Sequence, residues 1–143
     1  MPLLSSRNSK FFKDLRASPE FKEKFHKSLE KCQAEFHVTP EDIKKMFAED
    51  LSADDENGKC MMGCMFADMG TIQNNEYSVE NCLGMNKEKY TDPKDVEKAD
   101  EVVKACGKEV PTGLNNNCAL AYEIIKCYKA EAEKHDLKMP EVF

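Results

Sequence analysis

Lys59-Cys60-Met61-Met62-Gly63-Cys64-Met65-Phe66-Ala67-Asp68-Met69-Gly70 is the stretch on which the reading of the fold turns. Wound as a helix at about 100° per residue, it places Cys60 and Cys64 within about 40° of each other on one face. Met61, Met62, Met65, Phe66 and Met69 then sweep an adjoining apolar arc of roughly 140°. One side of such a helix is tied down by sulfur, and the neighbouring side is lined with thioethers. Methionine fills an ordinary core well. It also suits a wall that must accept apolar guests of more than one shape.

The totals narrow the choices. At 143 residues the chain is sized for one domain, with 41% apolar residues, 34% charged residues and no Trp, so its core must come from stripes on amphipathic helices. A balance of 21 basic and 27 acidic residues gives a net charge of −6. An acidic chain without a basic cluster is a poor match for nucleic acid or anionic membrane surfaces. No apolar run approaches the roughly 18 residues that insertion into a bilayer requires. Seven cysteines, widely spread, point to disulfides and an oxidising, extracellular compartment. The N-terminus lacks the apolar core of a secretion signal, consistent with a mature secreted form, and no Asn-x-Ser/Thr sequon is present.

Helix signals run along the whole chain. Residues 1–17 are expected to form an arm or a short first helix. Ser18-Pro19-Glu20 reads as N-cap, first turn and acidic start. Phe21, Phe25, Leu29, Cys32 and Phe36 follow on a stripe about 80° wide. Thr39 to Asp42 repeats the start signal as a capping-box-like pattern, with Ile43, Met46, Phe47 and Leu51 supplying the stripe. Asp54-Asp55-Glu56 suits the positive end of the Lys59–Gly70 helix, and Gly70 suits its stop. Asn74-Asn75 reads as a turn. Ser78 caps a short helix carrying Val79, Cys82, Leu83 and Met85. Asp92-Pro93 opens a helix through Val96, Ala99, Val102, Val103 and Cys106, with Gly107 expected to end it. The last helix, about 115–135, has an apolar arc wide enough to be enclosed on several sides, leaving Glu123 and Glu131 facing outward. The expectation is an all-α fold of six or seven helices without a convincing strand: a domain over 18–135 and a C-terminal tail, 136–143.

Cys118 and Cys127 lie nine residues apart and point about 180° away from each other on one helix, so each must reach a different neighbour. Cys60 and Cys64, one turn apart, are too far for the roughly 3.8 Å between bridged Cβ atoms and should also reach different helices. Spacing alone does not choose among the pairings.

The run Cys32-x27-Cys60-x3-Cys64-x41-Cys106-x11-Cys118-x8-Cys127 resembles the six-cysteine signature of the insect odorant-binding protein family, which includes the pheromone-binding proteins. The x3 and x8 intervals are its specific part, and it spans about residues 18–130. The resemblance implies three interlocked disulfides, Cys32–Cys64, Cys60–Cys118 and Cys106–Cys127, bracing helices around an internal apolar cavity. Cys82 falls outside the signature; it reads as a half-buried free thiol, with a link between two chains as the other option. The positions matching family pocket walls are Phe25, Met62, Phe66, Met69, Met85, Val103, Ile124, Ile125 and Tyr128. Each of them singly would serve equally well in ordinary packing. In some relatives the tail covers the pocket or enters it at low pH, and here Val142 and Phe143 offer an apolar plug, with His135 as a proton-sensitive joint. Tyr77, Tyr90, Tyr122 and Tyr128 are the candidate hydrogen-bonding groups for a ligand.

The implied function is a secreted carrier of small hydrophobic, volatile or lipid-like ligands through aqueous lymph, with a second copy of the chain or a chemoreceptor as further candidate partners. The same scaffold also serves outside olfaction, as a carrier of lipids or biogenic amines in saliva, venom, seminal fluid or haemolymph. Catalysis, cofactors and metals find no support. A secreted phospholipase needs Cys-Cys-x-x-His, and a thioredoxin-like site needs Cys-x-x-Cys. Zinc lacks a second ligand pair. Ala53–Gly58 fails as a calcium loop because Ala53 and Cys64 would occupy the first and twelfth ligand positions.

Overall fold

The computed structural model describes residues 17–48 and 52–138, apart from the side chains of residues 47 and 48. Six helices are found among them: α1 (Pro19–Phe36), α2 (Pro40–Ala48), α3 (Glu56–Met69), α4 (Val79–Lys89), α5 (Pro93–Glu109) and α6 (Asn117–Lys134). The fold is all-α in character.

Most of the expected starts and stops are built as read. The Ser18 hydroxyl accepts from the Phe21 amide, and Thr39 and Asp42 bond each other's backbone amides reciprocally at 3.1 Å. Asp55, Ser78, Asp92 and Asn116 cap the four later helices. Gly70 ends α3 with φ at 96°, a left-handed conformation that only glycine adopts without strain.

Three details differ from the sequence expectation. Gly107 does not end α5, which continues to Glu109 with Val110 as its cap. Its role is steric: a Cβ there would stand 2.7 Å from a Val79 methyl, so glycine lets α4 close on α5. Asn74 and Asn75 do more than turn the chain. Both take positive φ, 54° and 63°, the signature of a two-residue hairpin turn. They close a small antiparallel pair, β1 (Ile72–Gln73) and β2 (Glu76–Tyr77), with Ile72 opposite Tyr77. Two-residue strands leave too little alternation to show in the pattern. Glu131 is buried at 6% exposure rather than facing outward. It follows Ile124 by seven residues and so shares its line on α6, which is enclosed where the wheel left it open.

The chain wraps around α3 and α6. These two helices pack closely along their length, α1 lies on α3, α5 on α6, and α4 on α5. Gly63 permits the central crossing, since a Cβ would lie 2.7 Å from the Asn117 carbonyl oxygen. The fully buried side chains include Ile43, Met61, Met62, Met65, Leu120 and Ile124. Beyond α6 the backbone turns through Asp136, with φ at 52°, and returns Leu137 to the core.

Candidate ligand-binding site

Three cystines set the frame. Cys64 joins Cys32 of α1, Cys60 joins Cys118 of α6, and Cys106 of α5 joins Cys127 of α6. This is the interlocked pairing that the six-cysteine resemblance implies. Both of the spacing arguments are met: α3 is stapled to two different helices, and α6 is stapled on its two opposite sides. By chain-entropy estimates, with 32, 58 and 21 residues separating the partners, each link contributes about 3–4 kcal/mol. Such a frame supplies stability that a filled core would otherwise have to provide.

The methionine face of α3 points inward from this frame. Met61, Met62 and Met65 are buried, whereas Phe66 and Met69 keep part of their surface. Phe25 (6% exposed), Met62 and Ile124 belong to the contiguous core, and Phe66, Met69, Met85, Ile125 and Tyr128 pack against it half-buried. Eight of the ten expected wall positions therefore lie on or beside one apolar interior, and a ninth, Val103, is buried but stands apart from the main cluster. The tenth, Phe143, lies outside the described residues, as do Leu51 and the Phe47 side chain.

Val103 instead borders a polar group in the interior. The hairpin carries Tyr77 inward, where its hydroxyl donates to the Val103 carbonyl at 3.1 Å. The Tyr128 hydroxyl of α6 lies 2.9 Å from that of Tyr77, and the rings meet edge to face at 6.1 Å. With the Tyr77 proton spent on Val103, Tyr128 is the donor between them. Burial pushes both phenols well above the ordinary tyrosine range, reinforced by the Cys82 sulfur close to both. Cys82 is free and fully buried, not half-buried as its position suggested, because α4 is closed in by α5 on that side. A thiol so placed does not reach a second chain.

Lys89 is the residue that sequence reasoning passed over. Its ammonium sits 5.8 Å from the centre of the Phe21 ring and 5.7 Å from that of Tyr128. Desolvation holds its pKa below the usual lysine value, opposed by the Cys82 sulfur. The signal was present in the spacing. Lys89 follows Cys82 by seven residues and falls within about 20° of it, on the buried line of α4 with Asn86.

Of the other candidate hydroxyls, Tyr90 is buried and pushed upward by desolvation and by Asp95. Tyr122 sits under the Lys59 and Lys126 ammoniums, at 5.7 and 5.5 Å. Buried Glu131 is held by Lys134 at 2.9 Å, with His135 at 4.0 Å. Two open grooves, of about 540 and 620 Å³, lie on the outside, one along Lys31, Asp68 and the Cys60–Cys118 bridge, the other along Lys94, Glu101 and His135. Neither is lined by an expected wall residue. Among the described residues no cluster of three or more His, Cys, Asp or Glu side chains suits a metal, and no helix is long and apolar enough to cross a membrane.

Helices cross-braced by interlocked cystines around an apolar interior define a class of small-ligand binding protein. Residues 16–131 match the model of the PBP/GOBP family, and the chain belongs to that family, the insect odorant- and pheromone-binding proteins. It is a family of carriers rather than of enzymes. Among solved structures, odorant-binding protein dmelOBP28a from Drosophila melanogaster is 26% identical with a TM-score of 0.68, over 83% of this chain and 98% of that one. Apis mellifera odorant binding protein 5 shares the fold at a TM-score of 0.71 and 18% identity, over 87% of this chain and 98% of that one. Epiphyas postvittana Pheromone Binding Protein 3 shares it at 0.61 and 24%, over 80% and 99%. No curated protein matches the chain significantly.

Proposed function

We propose that the protein is a secreted carrier that takes small hydrophobic odorants or pheromones into an internal pocket and moves them through aqueous lymph to a chemoreceptor. The observation that carries this reading is the wall itself. Within a family of small-ligand carriers, Phe66, Met69, Met85, Ile125 and Tyr128 are half-buried apolar side chains packed against one core, a set that supports this reading. Desolvation is the driving force. A ligand with about ten methylenes gains roughly 8 kcal/mol gross on leaving water, at about 0.8 kcal/mol each. Immobilisation subtracts from this, so binding is micromolar and tolerant of shape. Biogenic amines fit less well, because the buried carboxylate of Glu131 is already engaged by Lys134.

The test is displacement of a fluorescent apolar probe from the oxidised protein. Aliphatic alcohols and esters should compete at micromolar concentration, and Met69→Ala and Phe66→Ala should weaken them several-fold. A protein that takes up neither the probe nor any apolar competitor is not a carrier of this kind. The tail is read as a cover over the pocket. Deleting 136–143 with no change in affinity at pH 7 or pH 5 removes that part of the reading.

A further inference from the structure

We infer that Lys89 is the anchor for an acidic head group, and that ligands pairing a carboxylate with an aliphatic chain are the preferred cargo of this carrier. The inference rests on the carrier reading above and specifies its ligand class. It begins with an imbalance of charge. Lys89 lies at the C-terminal end of α4, and its ammonium stands between the rings of Phe21 on α1 and Tyr128 on α6, where three helices meet. An ammonium carries three donors and no acceptor. Among the described residues none of the three reaches a carbonyl or carboxylate. The neighbouring Glu88 carboxylate is turned away, 3.0 Å from Lys24.

Two ring faces lie nearest the ammonium, and the Cys82 sulfur also favours its charge. The rings offer cation–π attraction, which offsets only part of the loss of water. The Tyr128 proton goes to Tyr77 and the Tyr77 proton to the Val103 carbonyl, so that chain of hydrogen bonds runs away from Lys89. Burial keeps both phenols protonated, so neither supplies a negative charge. Lys89 is half-buried, and a cation so placed with no carboxylate beside it is costly; an arriving carboxylate relieves that cost while forming a charge-assisted hydrogen bond. An alcohol or an ester offers only a neutral acceptor. The surroundings suit the apolar chain of the same ligand, since Phe21 meets Phe25 at 6.4 Å and Tyr128 lies against the main core.

The test compares dodecanoic acid, dodecanol and methyl dodecanoate as competitors of an apolar fluorescent probe at pH 7.4, in the wild type, Lys89→Met and Lys89→Arg. Methionine keeps the length and apolar stem of lysine without its charge. A hydrogen bond to a charged group is worth about tenfold or more in affinity. The wild type should therefore hold the acid at least tenfold more tightly than the alcohol. That ratio should fall to about one in Lys89→Met and survive in Lys89→Arg. Circular dichroism confirms that each variant is folded. If acid and alcohol bind the wild type equally, or if Lys89→Met leaves their ratio untouched while the probe still binds, the anchor is refuted and the carrier stands. Failure of all three competitors would strike the carrier reading itself.

Discussion

Gly63→Ala adds a single methyl group where α3 crosses α6. The new Cβ would stand 2.7 Å from the Asn117 carbonyl oxygen, 2.9 Å from its carbon and 3.2 Å from the Cys118 nitrogen. Ordinary contact begins at 3.4 Å, so the nearest atom must retreat by about 0.7 Å, the difference between 3.4 and 2.7. These are backbone atoms of the first turn of α6, and no side-chain rotation relieves them. The bridge one turn away holds the Cα atoms of Cys60 and Cys118 at 4.2 Å, so the two helices cannot simply part. Overpacking of this kind costs about 1–3 kcal/mol. Alanine recovers about 0.8–1 kcal/mol over glycine inside a helix. The net loss of up to about 2 kcal/mol lowers Tm by up to about 6 °C in a chain of this size. Gly84 in α4 is the matched control, with nothing within 4 Å of its added methyl. Gly84→Ala should raise Tm by about 3 °C, from the helix preference alone. Calorimetry on the oxidised proteins reads both shifts. A Gly63→Ala variant with intact bridges and a Tm raised as much as in Gly84→Ala would refute the close approach.

Further outcomes follow from the sulfurs and from one ion pair. Because Cys82 is fully buried, a thiol reagent should modify less than one cysteine per chain in the native oxidised protein and one in guanidinium, with no disulfide-linked dimer on a non-reducing gel; rapid native labelling would contradict its burial. Replacing Cys32 and Cys64 together by serine should cost about 3–4 kcal/mol in denaturant unfolding, and a loss below 1 kcal/mol would mean that the frame is not what holds α1 to α3. Asp68 is bonded by Lys31 at 2.8 Å, which holds its carboxyl below the usual aspartate value against the opposing effect of desolvation. Its contribution is thus present above the ordinary aspartate pKa and lost as pH falls through the lowered native one. Carbon-detected NMR should find the Asp68 midpoint below that of a free aspartate and rising in Lys31→Ala; equal midpoints in the two proteins would dissolve the pair.

Much of this molecule was written locally. Helix starts at Ser18, Thr39, Ser78 and Asp92 depend on a side-chain oxygen meeting an amide two or three residues on, and such short-range chemistry is legible in any chain. The stripe from Phe21 to Phe36 and the opposed cysteines of α6 are equally matters of angle along a single helix. Which cysteine meets which is a different kind of fact. It came from likeness to a family, because the intervals alone left the pairings open.

The packing of one helix on another decided the rest. Gly107 looked like a stop signal, yet its missing side chain serves contact with Val79 on a different helix. Glu131 looked exposed on its own wheel and was buried because α6 is enclosed. Lys89 lay on the same line as Cys82 all along, but a lysine on a buried line announces nothing until Phe21 and Tyr128 close over it. Sequence alone determined the helices and which face of each is greasy, since these depend on neighbours three or four residues away. Only the tertiary structure decided where charge goes without water, because the dielectric around an ammonium is set by residues brought from the far ends of the chain.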